Sequence, residues 1–413
     1  MKQNDTLQLD RFLSEELVNL FQSMGRTAHV RSEHAYLVGG IVRDILLGRK
    51  SADYDVAVEG KAIALARQIA RNYRVGVKTH PHFGTARLFF KKYRLDLVTA
   101  RRERYARPGA LPVIEAATIL DDLARRDFSI NAIAISLAPE TIGNILDPHG
   151  GRDDLSRQQV RILHPGSFRD DPTRILRAIR YEQRLGFSLE HQTSHHLLAD
   201  LKYLREVTGE RLWHELELIL EEECAECILE RADKLGVLAE LRTPLHMDRW
   251  LISRFAQARR IHRETLSLPG VYLALVASRL TAEEVEEFIS RFRPPGWAAR
   301  VMRQAVRLAR RMEDLRRPRL RPSKVYHLLK GYLPEAVRGI AVASDSKMIL
   351  KRTDIYLWEL ADIRPELTGD DLQKMGVSPG RKMGQILARL RDASMDGLVT
   401  NRKQEQDLVR RLL

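Results

Sequence analysis

Residues 36–60, YLVGGIVRDILLGRKSADYDVAVEG, constrain this chain more than any other stretch. An apolar run at 35–38 ends in Gly39-Gly40, and the spacing of Ile41, Val42, Ile45 and Leu46 predicts a short amphipathic helix over 41–47. Asp53-Tyr54-Asp55 then opens a second apolar run at 54–58. Alternate residues of a strand share a face, so Asp53 and Asp55 should project side by side. Carboxylates that close repel unless a cation lies between them, which suits a hard, oxygen-ligated metal such as Mg²⁺. Paired glycines let the backbone approach something bulky, and a helix start there offers free N–H groups to phosphate. Arg43, one turn in, can add a charge-assisted bond to the same anion. Singly these features are commonplace, because a GG is usually a turn and an Asp-x-Asp usually a solvated strand edge. Together they lay out phosphate beside a metal pair, the arrangement of phosphoryl or nucleotidyl transfer.

A chain of 413 residues is too long for one core and suggests roughly two to four units. Its formal net charge of +14 favours polyanionic partners. Met1-Lys2-Gln3-Asn4-Asp5 leads into an amphipathic pattern, not the apolar core of a signal peptide, and no apolar run approaches a membrane span. Cys224 and Cys227 form a lone CxxC inside a helical pattern. Without partner cysteines, ordinary helix packing in a reducing cytoplasm is the expectation.

In chain order, Phe12, Leu13, Leu17, Val18, Leu20 and Phe21 fall at helical spacing. From 34 to 99 strand and helix patterns alternate: strand 35–38, helix 41–47, strand 54–58, helix 61–72, then apolar runs near 73–78, 85–90 and 94–99. The last two flank Lys91-Lys92-Tyr93 and read as a hairpin. This predicts a small α/β head with a mostly antiparallel sheet. Residues 102–120 contain two prolines and a glycine that interrupt any period, which marks a loop. RRDFSINAIAI (125–135) joins charge to an apolar run, and Asp147-Pro148-His149-Gly150-Gly151 reads as a tight turn. In FRDDPTRILRAIRYEQRLGF (168–187), Pro172 after Asp170 and Asp171 signals a helix start. Arg174, Arg177 and Arg180 recur every three residues and so spread over about 120° of that helix. Beyond about residue 220 the pattern is almost wholly helical. It includes a densely basic segment at 298–324 and a Gly376, Pro379, Gly380 turn before a helix carrying Lys382 and Arg389.

The glycine pair, the DYD strand, RRDFSINA, DDPTR and GERLWHEL, in that order, resemble the motifs of class II tRNA nucleotidyltransferases. These are the CCA-adding enzymes and bacterial poly(A) polymerases of the polymerase β superfamily. The resemblance is continuous from about 34 to 220 and looser beyond. It implies an α+β fold, with a small mixed-sheet nucleotidyltransferase head followed by all-helical neck, body and tail domains. The corresponding divisions are a leading helix at 1–30, the head at 31–155, the neck at 156–235, the body at 236–345 and a tRNA-binding tail at 346–413. It further implies a cytoplasmic enzyme adding C and/or A from CTP or ATP to tRNA 3′ ends, with no membrane partner.

By the same resemblance Asp53 and Asp55 hold Mg²⁺, and Asp96 is the candidate third carboxylate, able to take a proton or complete the metal site. Arg126 contacts the triphosphate, Asp171 and Arg174 read the base, and Arg177 and Arg180 hold sugar or phosphate. Glu210 and Arg211 brace the reading helix. Cytosine and adenine both present an amino donor beside a ring-nitrogen acceptor, so one carboxylate and one guanidinium can select them against uracil and guanine. Asp170 stands where the family usually has glutamate, which puts its orienting role in doubt. In relatives a mobile loop falls near 102–120. Enzymes adding only CC or only A, and poly(A) polymerases, share every one of these residues. A non-catalytic RNA-binding protein on the same scaffold is the reading from another class, and the intact Asp-x-Asp opposes it.

Overall fold

A computed structural model of the chain describes residues 6–51, 53–104, 107, 109 and 112–413. Contacts divide it into two units, one of residues 1–215 with Lys234–Leu241, the other of Leu216–Asp233 with Arg242–Leu413.

The first unit is built on strands β1 (His34–Val38), β2 (Asp53–Glu59), β3 (Gly76–His80), β4 (Thr85–Phe89) and β5 (Arg94–Thr99). A hairpin, β6 (Arg101–Arg104) and β7 (Val113–Ala116), follows, then β8 (Ala134–Ser136) and β9 (Ile145–Leu146). Seven of these form one sheet in the order β3-β4-β5-β2-β1-β8-β9, while β6 and β7 pair separately. The β2–β5 pairing is parallel and the other pairings of the large sheet are antiparallel.

Alternation fixes what each face of the sheet does. Leu37, Val56, Val58, Leu88, Leu95 and Leu97 point to one face and are buried. There α1 (Glu15–Val30) and α3 (Ala62–Tyr73) cover them, α3 through Leu65, Ala66 and Ile69. Burying each such side chain contributes about 1.5–3 kcal/mol. The opposite face is split. Val38, Ala57 and Ala134 pack under Ile119 and Leu123 of α4 (Ile119–Ala124), with Tyr36 and Val98 beside them. The half carrying Asp53, Asp55, Arg87, Phe89 and Asp96 lies outside that apolar cluster. Between β1 and β2 runs α2 (Gly40–Leu46).

The chain continues through α5 (Gly151–Ser156), α6 (Ser167–Asp170), α7 (Thr173–Leu185), α8 (His191–Asp200) and α9 (Gly209–Leu220). Asp147 accepts from the backbone N–H groups of Gly151 and Arg152, so the DPHGG turn caps α5. The second unit is helical. At its centre the helices Leu268–Ala277 and Pro334–Ala343 lie so close that a Cβ on Gly339 would fall 2.5 Å from that of Ala274. A satellite core of Leu367, Leu372, Val377, Ile386, Leu390 and Val409 holds the C-terminal helices together. Among the described residues no helix is long and apolar enough to cross a membrane.

Three expectations need correction. The leading helix begins only at Glu15, after a 3₁₀ turn at Leu9–Arg11, because Ser14 is extended and Glu15-Glu16 favour a helix N-terminus. The loop expected at 102–120 is instead the β6–β7 hairpin followed by α4; Tyr105, Ala106, Pro108, Ala110 and Leu111 within it lie outside the described residues. The breakers Gly109 and Pro112 lie between the two strands rather than within them, and ion pairs tie β6 down: Glu103 pairs with Arg101 and Arg125, and Arg102 with Asp121. Finally, Cys224 and Cys227 are joined in a disulfide, not packed as free thiols. The next helix begins only at Ala225, so Cys224 sits in the preceding turn with its Cα 5.3 Å from that of Cys227.

Candidate active site

Two backbone features bring the glycine pair to the carboxylates. Gly39 has φ 78°, which a side chain would strain, and a Cβ there would lie 2.8 Å from Arg126 Nη1 and 3.7 Å from Asp55 Oδ2. The helix after it, α2, has only seven residues, so close approach is the glycines' contribution. Asp53 and Asp55 alternate along β2, both exposed, while Tyr54 between them is buried. Across the parallel pairing Asp55 stands opposite Asp96, and Arg87 of β4 reaches Asp96 with two bonds, Nε to Oδ1 at 2.7 Å and Nη2 to Oδ2 at 2.6 Å. Partial desolvation in this concave wall, with Asp96 and Asp53 adding repulsion, pushes Asp55 up to about 6, although Arg126 and Arg87 pull the other way. Negative charge is therefore under-compensated here.

Beside Asp55 opens a cavity of about 300 Å³ lined by Gly39, Gly40, Glu103, Arg125, Arg126, Asp127, Asn131, Asp171, Arg174, Arg177 and Tyr181. The arginines are positioned by local sequence. Thr118 and Asp121 form a capping box that starts α4, so the fully buried Asp122 falls one turn on and meets Arg125 and Arg126 at its end. Burial alone would raise Asp122, but Arg126 and Arg125 outweigh it and hold the carboxyl below its ordinary value. On α7, Arg177 gives Nε and Nη2 to Asp127 Oδ2 at 2.9 and 2.5 Å. Asp127 also accepts from Asn131 Nδ2, and despite its burial these partners hold it down to about 2.

The two base-reading candidates are fixed from behind. Asp171 Oδ1 accepts from Thr173 N, Thr173 Oγ1 and Arg211 Nη2, the last at 2.6 Å, and the described residues give Oδ2 no partner. Arg174 is buried, with Nη1 on Ser167 Oγ at 2.6 Å and Nη2 on the Arg125 carbonyl at 2.7 Å. Nη1 also donates to the Ser167 carbonyl at 3.5 Å, so it is Nη2 that carries a second hydrogen these bonds do not use. Arg211 also donates to the Gly109 carbonyl, so this side chain of α9 bridges that backbone and Asp171.

Other candidates fall outside the cavity wall. Arg43 is buried beneath it, bonded to Asp44 and to Asn131 Oδ1 and stacked over Tyr181. Arg180 lies against Glu215 and Tyr181. Asp170 turns to His164, 3.6 Å away, and Glu210 is exposed in the first turn of α9. Conversely, Asp127, Asn131, Glu103 and Tyr181 are wall residues that sequence reasoning did not single out. Asp127 and Asn131 stood inside the quoted RRDFSIN block, where a carboxylate next to two arginines was the available signal.

The donor set suits a hard cation: Asp53 and Asp55 offer carboxylate oxygens, and the third carboxylate, Asp96, is engaged by Arg87. Among the described residues no group of three or more His, Cys, Asp and Glu could by itself hold an ion. One or two carboxylates completed by water and substrate phosphate is the usual manner of Mg²⁺.

Comparison with known proteins places these features in context. Residues 35–161 match the family described as Poly A polymerase head domain. The A-adding tRNA nucleotidyltransferase of Aquifex aeolicus is 35% identical over 88% of this chain, which spans only 45% of that relative, about half its length. The A-adding tRNA nucleotidyltransferase of Halalkalibacterium halodurans is 32% identical, with 97% of this chain and 94% of the relative covered. A solved structure titled as the apo form II of a CCA-adding enzyme superposes with a TM-score of 0.79 at 30% identity, covering 98% of each chain.

Proposed function

Because the chain belongs to the class II tRNA nucleotidyltransferase family, we propose that it adds C and/or A from CTP or ATP to the 3′ end of tRNA without a nucleic-acid template. The observation that carries this reading is a single cavity wall holding Asp55, Arg126 and the Asp171/Arg174 pair.

The family has a general divalent-metal requirement, and Asp53 and Asp55 would hold Mg²⁺. Bound there, the ion would neutralise triphosphate charge and ease deprotonation of the attacking hydroxyl. The chain's own residues do the rest. Gly39 and Gly40 admit the triphosphate close to the backbone, and Arg126, already anchored on Asp122, presents its guanidinium to it. Oδ2 of Asp171, which has no partner among the described residues, accepts from the exocyclic amine while Arg174 donates to the ring nitrogen. Uracil or guanine would face each group with a like partner, a costly mismatch in a partly buried pocket. The tRNA 3′ oxygen attacks the α-phosphorus in line, the bond to the bridging oxygen breaks, and pyrophosphate leaves. Asp96, opposite Asp55 and paired with Arg87, would take the hydroxyl proton or complete the metal site. Arg177 and Tyr181 border the sugar side.

Both relatives named above carry A-adding names, which favours ATP alone as a second reading. The basic second unit, with Arg300, Arg307 and Arg310 along one helix and its end, would bind tRNA backbone, and a cytoplasmic location accords with that partner. The test is to offer tRNAs ending at the discriminator base, at C and at CC, with each nucleotide separately, and to sequence the products. CTP and ATP use supports the general reading and ATP use on CC ends alone the narrower one. Long A tracts on unrelated RNA would replace both with poly(A) synthesis, and no incorporation at all would leave a binding protein.

A further inference from the structure

The two cysteines of this sequence meet at a single corner of the second unit. Cys224 ends the turn after α9, and Cys227 lies in the first turn of α10 (Ala225–Lys234), so their disulfide encloses only Ala225 and Glu226. A bridge over so short a loop removes less freedom from the unfolded chain than one closing a long loop. The corner is also held without it. Cys227 N–H donates to the Cys224 carbonyl at 3.1 Å. Arg259, on the helix Arg249–Arg260, donates Nη1 to the Glu223 carbonyl at 2.9 Å and to Glu226 Oε2 at 2.8 Å. Ala225, Glu226, Ile228 and Leu229 are buried, whereas both cysteines keep part of their surface in solvent. The bond is therefore reachable, and the fold around it has other supports. In the cytoplasm proposed above, a disulfide is characteristically transient and exchanges with other thiols.

The corner is acidic within a chain of net charge +14. Glu221 and Glu223 are exposed just ahead of Cys224, while Arg259 is engaged by Glu226. Carboxylates this near repel an anionic reagent at the sulfurs and attract a cationic one. We propose that Cys224–Cys227 is a reversible thiol–disulfide couple that exchanges with neutral or cationic partners, its glutamates turning away anionic ones such as glutathione. In the reducing direction a thiolate of a dithiol donor attacks one cysteine sulfur, the S–S bond breaks, and the other cysteine leaves as a thiolate that takes a proton. The donor's second thiolate then attacks the donor sulfur of the mixed disulfide, closing the donor's own S–S bond and freeing the first cysteine. Two electrons and two protons pass to the protein. This couple goes beyond the transferase reading and does not depend on it.

The test uses the folded full chain, reduced with dithiothreitol, freed from it, and reoxidised by cystamine, hydroxyethyl disulfide or glutathione disulfide, which are cationic, neutral and anionic in turn. Loss of free thiol is followed by maleimide mass tagging, and each rate is divided by that of a neutral peptide dithiol. At about 0.1 M salt, where a Debye length of about 10 Å screens the distant charges, cystamine should outpace glutathione disulfide at least about tenfold. At about 1 M salt the gap should fall to within about threefold. Glu221→Gln combined with Glu223→Gln should narrow it in the same way at the lower salt. A gap that is absent, or that ignores both salt and these substitutions, would overturn the selection by charge. Dithiothreitol should reopen the bond without denaturant, with the circular dichroism of the oxidised protein kept. Thiols released only in urea, a bond that does not re-form, or a chain that unfolds on reduction would overturn the reversible couple.

Discussion

The two sides of Asp55 are built on opposite electrostatic plans. On the side of the proposed nucleotide cavity the arginines are anchored by protein partners: Arg125 and Arg126 by Asp122, Arg177 by Asp127, Arg211 by Asp171, and Arg174 by Ser167 and a carbonyl. On the sheet side Asp53 and Asp55 stand exposed, and the Arg87–Asp96 pair is itself at the surface. Under the proposed function, the contrast means that selection and chemistry are prepared differently. A base-reading pocket must be rigid before its ligand arrives, since discrimination depends on partners that cannot turn away. The proposed metal and transfer site would instead be left short of positive charge, which a bound cation would supply.

The sharpest way to break this comparison is to neutralise the sheet side. Asp55→Asn or Asp53→Asn should lower single-turnover transfer by more than about 100-fold, beyond what losing an outer-shell metal partner costs. Equilibrium binding of ATP and CTP without metal should stay within about twofold, since the reading groups remain in place. On the anchored side, Arg177→Met leaves Asp127 buried without its main cation, so unfolding free energy should fall by about 3 kcal/mol in urea titrations. Asp127 is held below its unfolded value, so the pair stabilises fully above the ordinary carboxylate range and less as pH falls toward about 2. The gap between wild type and Arg177→Met should therefore narrow as pH falls from about 5.

Smaller effects sharpen the picture. Asp171→Asn replaces an acceptor with an amide that can also donate, and should cut the preference for CTP over UTP about 10- to 100-fold in kcat/KM. The exposed Arg303–Glu286 pair of the second unit gives a baseline, since Arg303→Ala should change stability by less than about 1 kcal/mol. An Arg177 variant as mild as that baseline would show that the nucleotide-side network is not a rigid preset.

Much of this was legible in the sequence because the decisive geometry is local. Two residues apart on a strand puts Asp53 and Asp55 on one face, and a proline after two aspartates marks where α7 begins and places Asp171 at its cap. Long-range partners were not legible. Arg43 looked free to meet an anion, yet its acceptor Asn131 is 88 positions away, and Asp127 meets Arg177 across 50. The β6–β7 hairpin was hidden because its ion pairs run to Arg125 and Asp121 on and just past α4, outside any local window. Arg87 and Phe89 sat in a plain alternating strand, and only the register with β5 shows what they face.

The most direct trial is a crystal of the full chain soaked with Mn²⁺ and a non-hydrolysable ATP analogue, with the ions located by anomalous scattering. The account predicts manganese between the Asp53 and Asp55 carboxylates and the triphosphate, with the adenine amine on Asp171 Oδ2. Manganese bound elsewhere, or a base turned away from Asp171 and Arg174, would contradict it.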